Sequence, residues 1–195
     1  MALNSFCCEP ITDGATFQKK CNVTPRSGGI PYLGAIDCSI DFTDITDVGE
    51  WESAIASGSI VLFPKGLGEK PETEKTTQRM TSCDPEQTVL QIHPLNFQTF
   101  DANLTDNSDF DNWIKVEKNQ KNYRFFYIDC QNNIYLDLEN NQGIEARKFD
   151  LDHVIPQTNE EKQSFNIVLN FQKNGIIKPF KNDAILEALL TSQGS

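Results

Sequence analysis

Histidine is scarce in this chain, with two among 195 residues, and its six cysteines never form a Cys-x-x-Cys pair. Without that pair, neither a zinc knuckle nor a dithiol redox centre is expected. His93 and His153 have no further ligand at helical or hairpin spacing, so each reads as a structural residue, and no metal or cofactor is expected. A nucleophilic pair of Cys83 with His93 could arise only in space. Gly66-Leu67-Gly68 lacks a third glycine at dinucleotide spacing and opens onto Glu69-Lys70-Pro71, which removes a phosphate cradle. No apolar run is long enough to cross a bilayer. The opening residues lack a basic start and an apolar stretch, so a secretory leader is not expected and folding in a cytoplasm is.

Basic residues are also few: 17 Lys and Arg stand against 28 Asp and Glu, a formal charge of −11. The excess is spread along the chain, as five in 1–64, two in 65–125 and four in 126–195. A field of that sign disfavours nonspecific binding of nucleic acid or an anionic membrane. Paired acids such as Asp109 with Asp111, or Asp150 with Asp152, read as solvated faces. They have neither an EF-hand loop nor evidence of a cleft between them. No catalytic constellation emerges, and a non-enzymatic chain is expected.

What is present is β character. Ile36, Cys38, Ile40 and Phe42 alternate with polar residues and predict a strand over Tyr32–Phe42. Thr46 or Asp47 can cap a helix that buries Trp51 and Ile55 and stops at Gly58. Strands are predicted at 59–63, 89–100, 145–155 and 162–172, with a hairpin of 123–130 and 133–138. Pro94 must then sit at an edge or bulge. Further helices are expected over 108–120 and 183–190. Tyr123, Phe125, Phe126 and Tyr127 suit core packing better than a stacking platform for sugars or bases. Without a leader the thiols should be reduced. Cys38 and Cys130, in strand-like runs, are expected to be small buried apolar residues.

The expected fold is mainly β (a β-rich α+β chain): an antiparallel β-sandwich or partly open barrel with two or three short helices. Residues 1–30, broken by Pro10, Gly14, Pro25, Gly28 and Gly29, read as an extended N-terminal arm. Residues 31–190 form one domain and 191–195 a polar tail. Residues 64–87, polar and without apolar periodicity, are expected to protrude as a loop or hairpin that a partner orders.

Gly49–Ile60, the Thr76-Thr77-Gln78-Arg79-Met80-Thr81-Ser82-Cys83-Asp84-Pro85-Glu86-Gln87 run and Asn96-Phe97-Gln98 together resemble virion structural proteins of tailed phages, over roughly residues 32–140. The resemblance implies a tail-tube or related ring-forming subunit, assembled in a host bacterial cytoplasm and carried in the virion. Its partners would be copies of itself and neighbouring virion proteins, with DNA a non-adhering passenger in an acidic lumen and no membrane involved. The long loop would then carry assembly contacts, with Gly66, Gly68, Lys70, Thr76 and Arg79 as candidates. A capsid-decorating or head-fibre protein fits the same features, as does a carbohydrate-binding β-sandwich; a hydrolase using paired acids is the remaining class.

Overall fold

The computed structural model describes residues 29–78, 87–99, 114–155 and 163–192. In chain order they form β1 (Tyr32–Asp37), α1 (Val48–Ala56), β2 (Ile60–Leu62), β3 (Gly66–Glu69), β4 (Glu74–Gln78) and β5 (Gln87–Thr99). There follow α2 (114–118), β6 (Tyr123–Ile128), β7 (Ile134–Tyr135), β8 (Ile144–Val154), β9 (Ser164–Gln172), β10 (Pro179–Phe180) and α3 (Asp183–Ser192). The protein is mainly β, and every pairing among these ten strands is antiparallel.

The sheet folds over on itself along β8. At its start β8 pairs with β6, through Ile144 opposite Phe125 and Glu145 opposite Arg124. From Ala146 onward it pairs with β9 instead, and an irregularity between Ala146 and Lys148 marks the change of partner. A bulge bends and twists a strand, which lets one strand serve two halves. One half holds β2, β1, β6, β7 and β10; the other holds β8, β9, β5, β3 and β4. On the opposite side the Ile30–Gly68 bridge and a bond from the Gly66 amide to the Pro31 carbonyl tie the halves without closing a barrel. The expected mainly β, antiparallel fold is what the structure shows, with its sheet not closed into a barrel.

Two hydrophobic cores follow from this layering. Between the halves lie Leu33, Ala35, Phe125 and Tyr127 from one side, against Leu95, Phe97, Phe149, Ile167, Leu169 and Phe171 from the other. The remaining face of the first half carries Ile36, Leu62, Phe126, Ile128 and Ile134, and α1 and α3 cover it with Trp51, Ala54, Ile185, Leu186 and Leu189. Successive residues of a strand point to opposite faces, so β6 feeds both cores at once. Helix α1 starts where Asp47 accepts a hydrogen bond from the Gly49 amide at 2.7 Å. It ends at Gly58, whose φ of +74° suits glycine. The indole of Trp51, fully buried, donates to the Ile45 carbonyl at 2.7 Å.

Several expectations need correction. Strand β1 ends at Asp37, because the Asp37 carboxylate accepts from the Ser39 amide and its carbonyl from the Ile40 amide. That turn takes Cys38 out of the sheet. Cys38 and Cys130 are exposed free thiols, not buried apolar residues, since both fall in turns at strand ends. Phe42 is buried all the same, from a loop, 5.5 Å from the Trp51 ring. Residues 66–78 run mostly as strands β3 and β4, although the side chains of β4 are exposed throughout. The last helix continues through Ser192, taking in two residues assigned to the tail. Apart from Gly29 and Ile30, the expected N-terminal arm lies outside the described residues, as do 108–113 of the second helix.

Candidate functional site

Strand β5 is 13 residues long, about 40 Å at the usual rise per residue. Its partner β9 pairs only with Ile92–Thr99. Over Gln87–Gln91 the only strand beside it among the described residues is β4. The result is a two-stranded ribbon extending past the sandwich, and residues 79–86, between its strands in the sequence, lie outside the described residues. All five residues of β4 are exposed, as are Thr88 and Val89 of β5. A two-stranded ribbon is marginal alone in water. This one is held by its base.

At that base the second row of pairing along β5 is interrupted. Strand β3 pairs with Asn96–Thr99 and β4 with Gln87–Ile92, so His93, Pro94 and Leu95 face the link 70–73, where neither strand continues. Proline donates no backbone hydrogen bond, so a break opposite Pro94 is where a ladder can best tolerate it. The expected irregularity at Pro94 thus lies in its neighbour.

Side chains fill the gap with a polar cluster. His93, only 4% exposed, hydrogen-bonds through Nε2 to the Lys173 carbonyl at 3.1 Å and through Nδ1 to Thr73 Oγ1 at 3.0 Å. A carbonyl only accepts, so Nε2 carries the proton and neutral Nδ1 accepts from the Thr73 hydroxyl. Lys70 Nζ in turn donates to Thr73 Oγ1 at 3.3 Å. Burial first, then the charges of Lys70 and Lys173, hold the His93 pKa below its ordinary 6.5, against hydrogen bonds that raise it. Next door, the Lys173 ammonium is buried against Asp137 and reaches Glu139 at 3.3 Å. Burial works to raise the Asp137 pKa, but hydrogen bonds from Lys173 and Asn140 outweigh it and hold the carboxyl below the ordinary range. For Lys173 burial pulls down, and the bond and charge of Asp137 prevail and raise it. The Gly175 amide completes the cluster by donating to Gln91 Oε1 at 3.0 Å.

The five candidate interface residues divide. Gly66 and Gly68 serve the fold itself: a Cβ on Gly66 would lie 2.4 Å from the Gln98 carbonyl oxygen, and one on Gly68 would lie 2.9 Å from Ile30. Lys70 is exposed at the ribbon base, and Thr76 is exposed on β4. Arg79 lies outside the described residues, as does Cys83. His93, Thr73, Asp137 and Lys173 were missed as members of one cluster. His93 shares parity with Leu95 and Phe97, both buried, so the alternation carried a signal for its inward position.

Other candidates do not converge on one place. Phe125, Phe126 and Tyr127 are core residues, so they present no stacking platform. His153 stacks on Phe165 at 4.7 Å, far along β8 from its start. Asp150 pairs with Lys148 at the surface. Among the described residues no three His, Cys, Asp or Glu are grouped to hold a metal ion. On the outer face of the second half, Leu67, Glu69, Asn96, Gln98, Asn166 and Val168 line an open groove of about 410 Å³. Asn96 donates there to Glu69 at 3.1 Å, and Gln98 to Ser164 at 3.0 Å. Compared with models of known families and with curated proteins, the chain matches none.

Proposed function

We propose that this chain is a non-enzymatic virion structural subunit that assembles with copies of itself, most simply as a phage tail tube or ring. One observation carries the reading: a ribbon extends beyond the sandwich with all of β4 exposed. A protein that ends its work as a monomer gains little from such an element, because ordering it costs about 1–2 kcal/mol per residue and buries almost nothing. A neighbouring copy that covers the ribbon recovers that cost. The exposed side chains of β4 suit contact with another chain.

Charge supports the same reading. No Lys, Arg or His occurs between Arg26 and Lys65. Asp41, Asp44, Asp47 and Glu52 are exposed around α1 in that stretch. In a ring, a face of that sign turned inward would let DNA pass without adhering. Electron microscopy and sedimentation of the purified protein test the proposal. Rings, tubes or concentration-dependent oligomers are the expected result, and a strict monomer at high concentration would defeat it.

A carbohydrate-binding module is the second reading, favoured by the carboxamides of Asn96, Gln98 and Asn166 along the outer groove. Binding of glycans by a monomer, lost on Gln98→Ala, would put it first.

A further inference from the structure

We infer that the hydrogen-bonded chain Lys70–Thr73–His93–Lys173 is a proton-operated latch. It seats the ribbon while His93 is neutral and frees the first strand of the ribbon when the ring takes a second proton. The latch itself stands on the fold. Its use in controlling association rests on the self-assembly reading above.

The geometry leaves a single place for the second proton. Nε2 already donates to the Lys173 carbonyl, so protonation falls on Nδ1, which now accepts from Thr73 Oγ1. Once protonated, Nδ1 must donate, and the same hydroxyl oxygen already accepts from Lys70 Nζ. The hydroxyl has lone pairs for both, but two cations are then held against one oxygen and the Thr73 proton loses its acceptor. The charged group facing the ring from the β3–β4 link is Lys70. From the segment after β9 it is Lys173, which is tied to Asp137 and Glu139 of the β7–β8 turn. Both cations nearest the ring oppose its protonation, and neither carboxylate is bonded to it.

Relief comes most cheaply from the link. Lys70 is exposed and can leave, whereas Lys173 is buried in its ion pair. Thr73 immediately precedes Glu74, the first residue of β4, so withdrawing Thr73 unpins the ribbon at its base. Burial holds the ring's titration below its ordinary value, so the latch stays shut at neutral pH and opens on acidification.

Hydrogen exchange of the Glu74–Gln78 amides, followed between about pH 7.5 and 4.5 with ring titration read by NMR, tests this. Corrected for intrinsic exchange, wild-type β4 should open roughly 3- to 10-fold more often once His93 is charged, the worth of about one hydrogen bond. His93→Gln can keep both bonds and should show no such step. Lys70→Gln removes one opposing charge, so its midpoint should move up in pH and its step shrink. It also serves if the first variant fails to fold. Ring titration with no change at β4, or an unaltered step in both variants, overturns the latch. Sedimentation at the same pH values separates the two layers. Smaller particles on acidification support control of assembly, and particles of unchanged size alongside a loosened β4 overturn it. A monomer at every pH with the exchange step intact leaves the latch standing and removes the self-assembly reading.

Discussion

Strands β6 and β4 belong to one sheet and have opposite surroundings. β6 buries four consecutive residues, Phe125–Ile128, because the other half of the sandwich covers one face and the helices cover the second. β4 buries none of its five residues. The first strand is held by side-chain packing on both faces. The second is held by its ladder to β5 and by the polar cluster at its base. Between them stands β9, with Phe165, Ile167, Leu169 and Phe171 buried on one face and Asn166, Val168 and Asn170 half-buried on the other. Side-chain packing therefore contributes more to β6 than to β9, and more to β9 than to β4.

The largest effect is expected at Phe126. Its ring lies over Gly34, where a Cβ would come within 2.2 Å, and meets Trp51 edge-on at 5.5 Å. Phe126→Ala should cost about 3–5 kcal/mol, read as a lowered urea midpoint. Next in size is Lys173→Met, which strips the buried Asp137 carboxylate of its partner and should cost about 3 kcal/mol. Lys148→Met, at an exposed pair, should change stability by less than about 1 kcal/mol.

Acid probes that cluster and, separately, the turn held by Asp129. The pKa values of Asp129 and Asp137 are both held below the ordinary 3.8. For Asp129, burial pushes upward but is outweighed by hydrogen bonds from Asn133, Gln131 and Tyr135. Their contribution is intact above the ordinary carboxylate value and is lost as pH falls through the lowered folded values. The His93 pKa is lowered too, so its contribution begins to drain below 6.5. Stability measured against pH should therefore fall in two windows, and His93→Gln should remove only the upper one.

Gly66→Ala sharpens the boundary between body and ribbon. The added methyl meets the backbone of β5, so about 1–3 kcal/mol should be lost by thermal or urea unfolding, marking β3 as part of the body. The smallest effect on folding belongs to Val89→Ser on the ribbon, within about 0.5 kcal/mol. If the assembly reading holds, this same change weakens association in sedimentation while leaving the urea midpoint in place.

The one-sided strands were legible because period-two alternation records a wet face and a dry one, as in β9. Asp47, Trp51 and Gly58 likewise announced α1 through capping and spacing. The run Tyr123–Ile128 was recognisable as a strand but silent about what covers its two faces, since a strand buried on both sides has no alternation to read. Strand β4 left no hydrophobic trace because its pairing is made by backbone atoms that every sequence carries. The candidate site was legible only in outline, as a polar stretch of unusual length.

Taken alone, the amino-acid sequence settled the β-rich class, the acidic surface, the first helix and most strand positions, because local alternation and capping depend on near neighbours in the chain. Only the tertiary structure decided that β8 joins two halves, that β4 extends β3 along β5, and that His93 meets Thr73 and Lys173, 20 and 80 residues away. Those arrangements rest on hydrogen bonds and buried charges between distant segments. Their partners become neighbours only once the cores have brought the strands together.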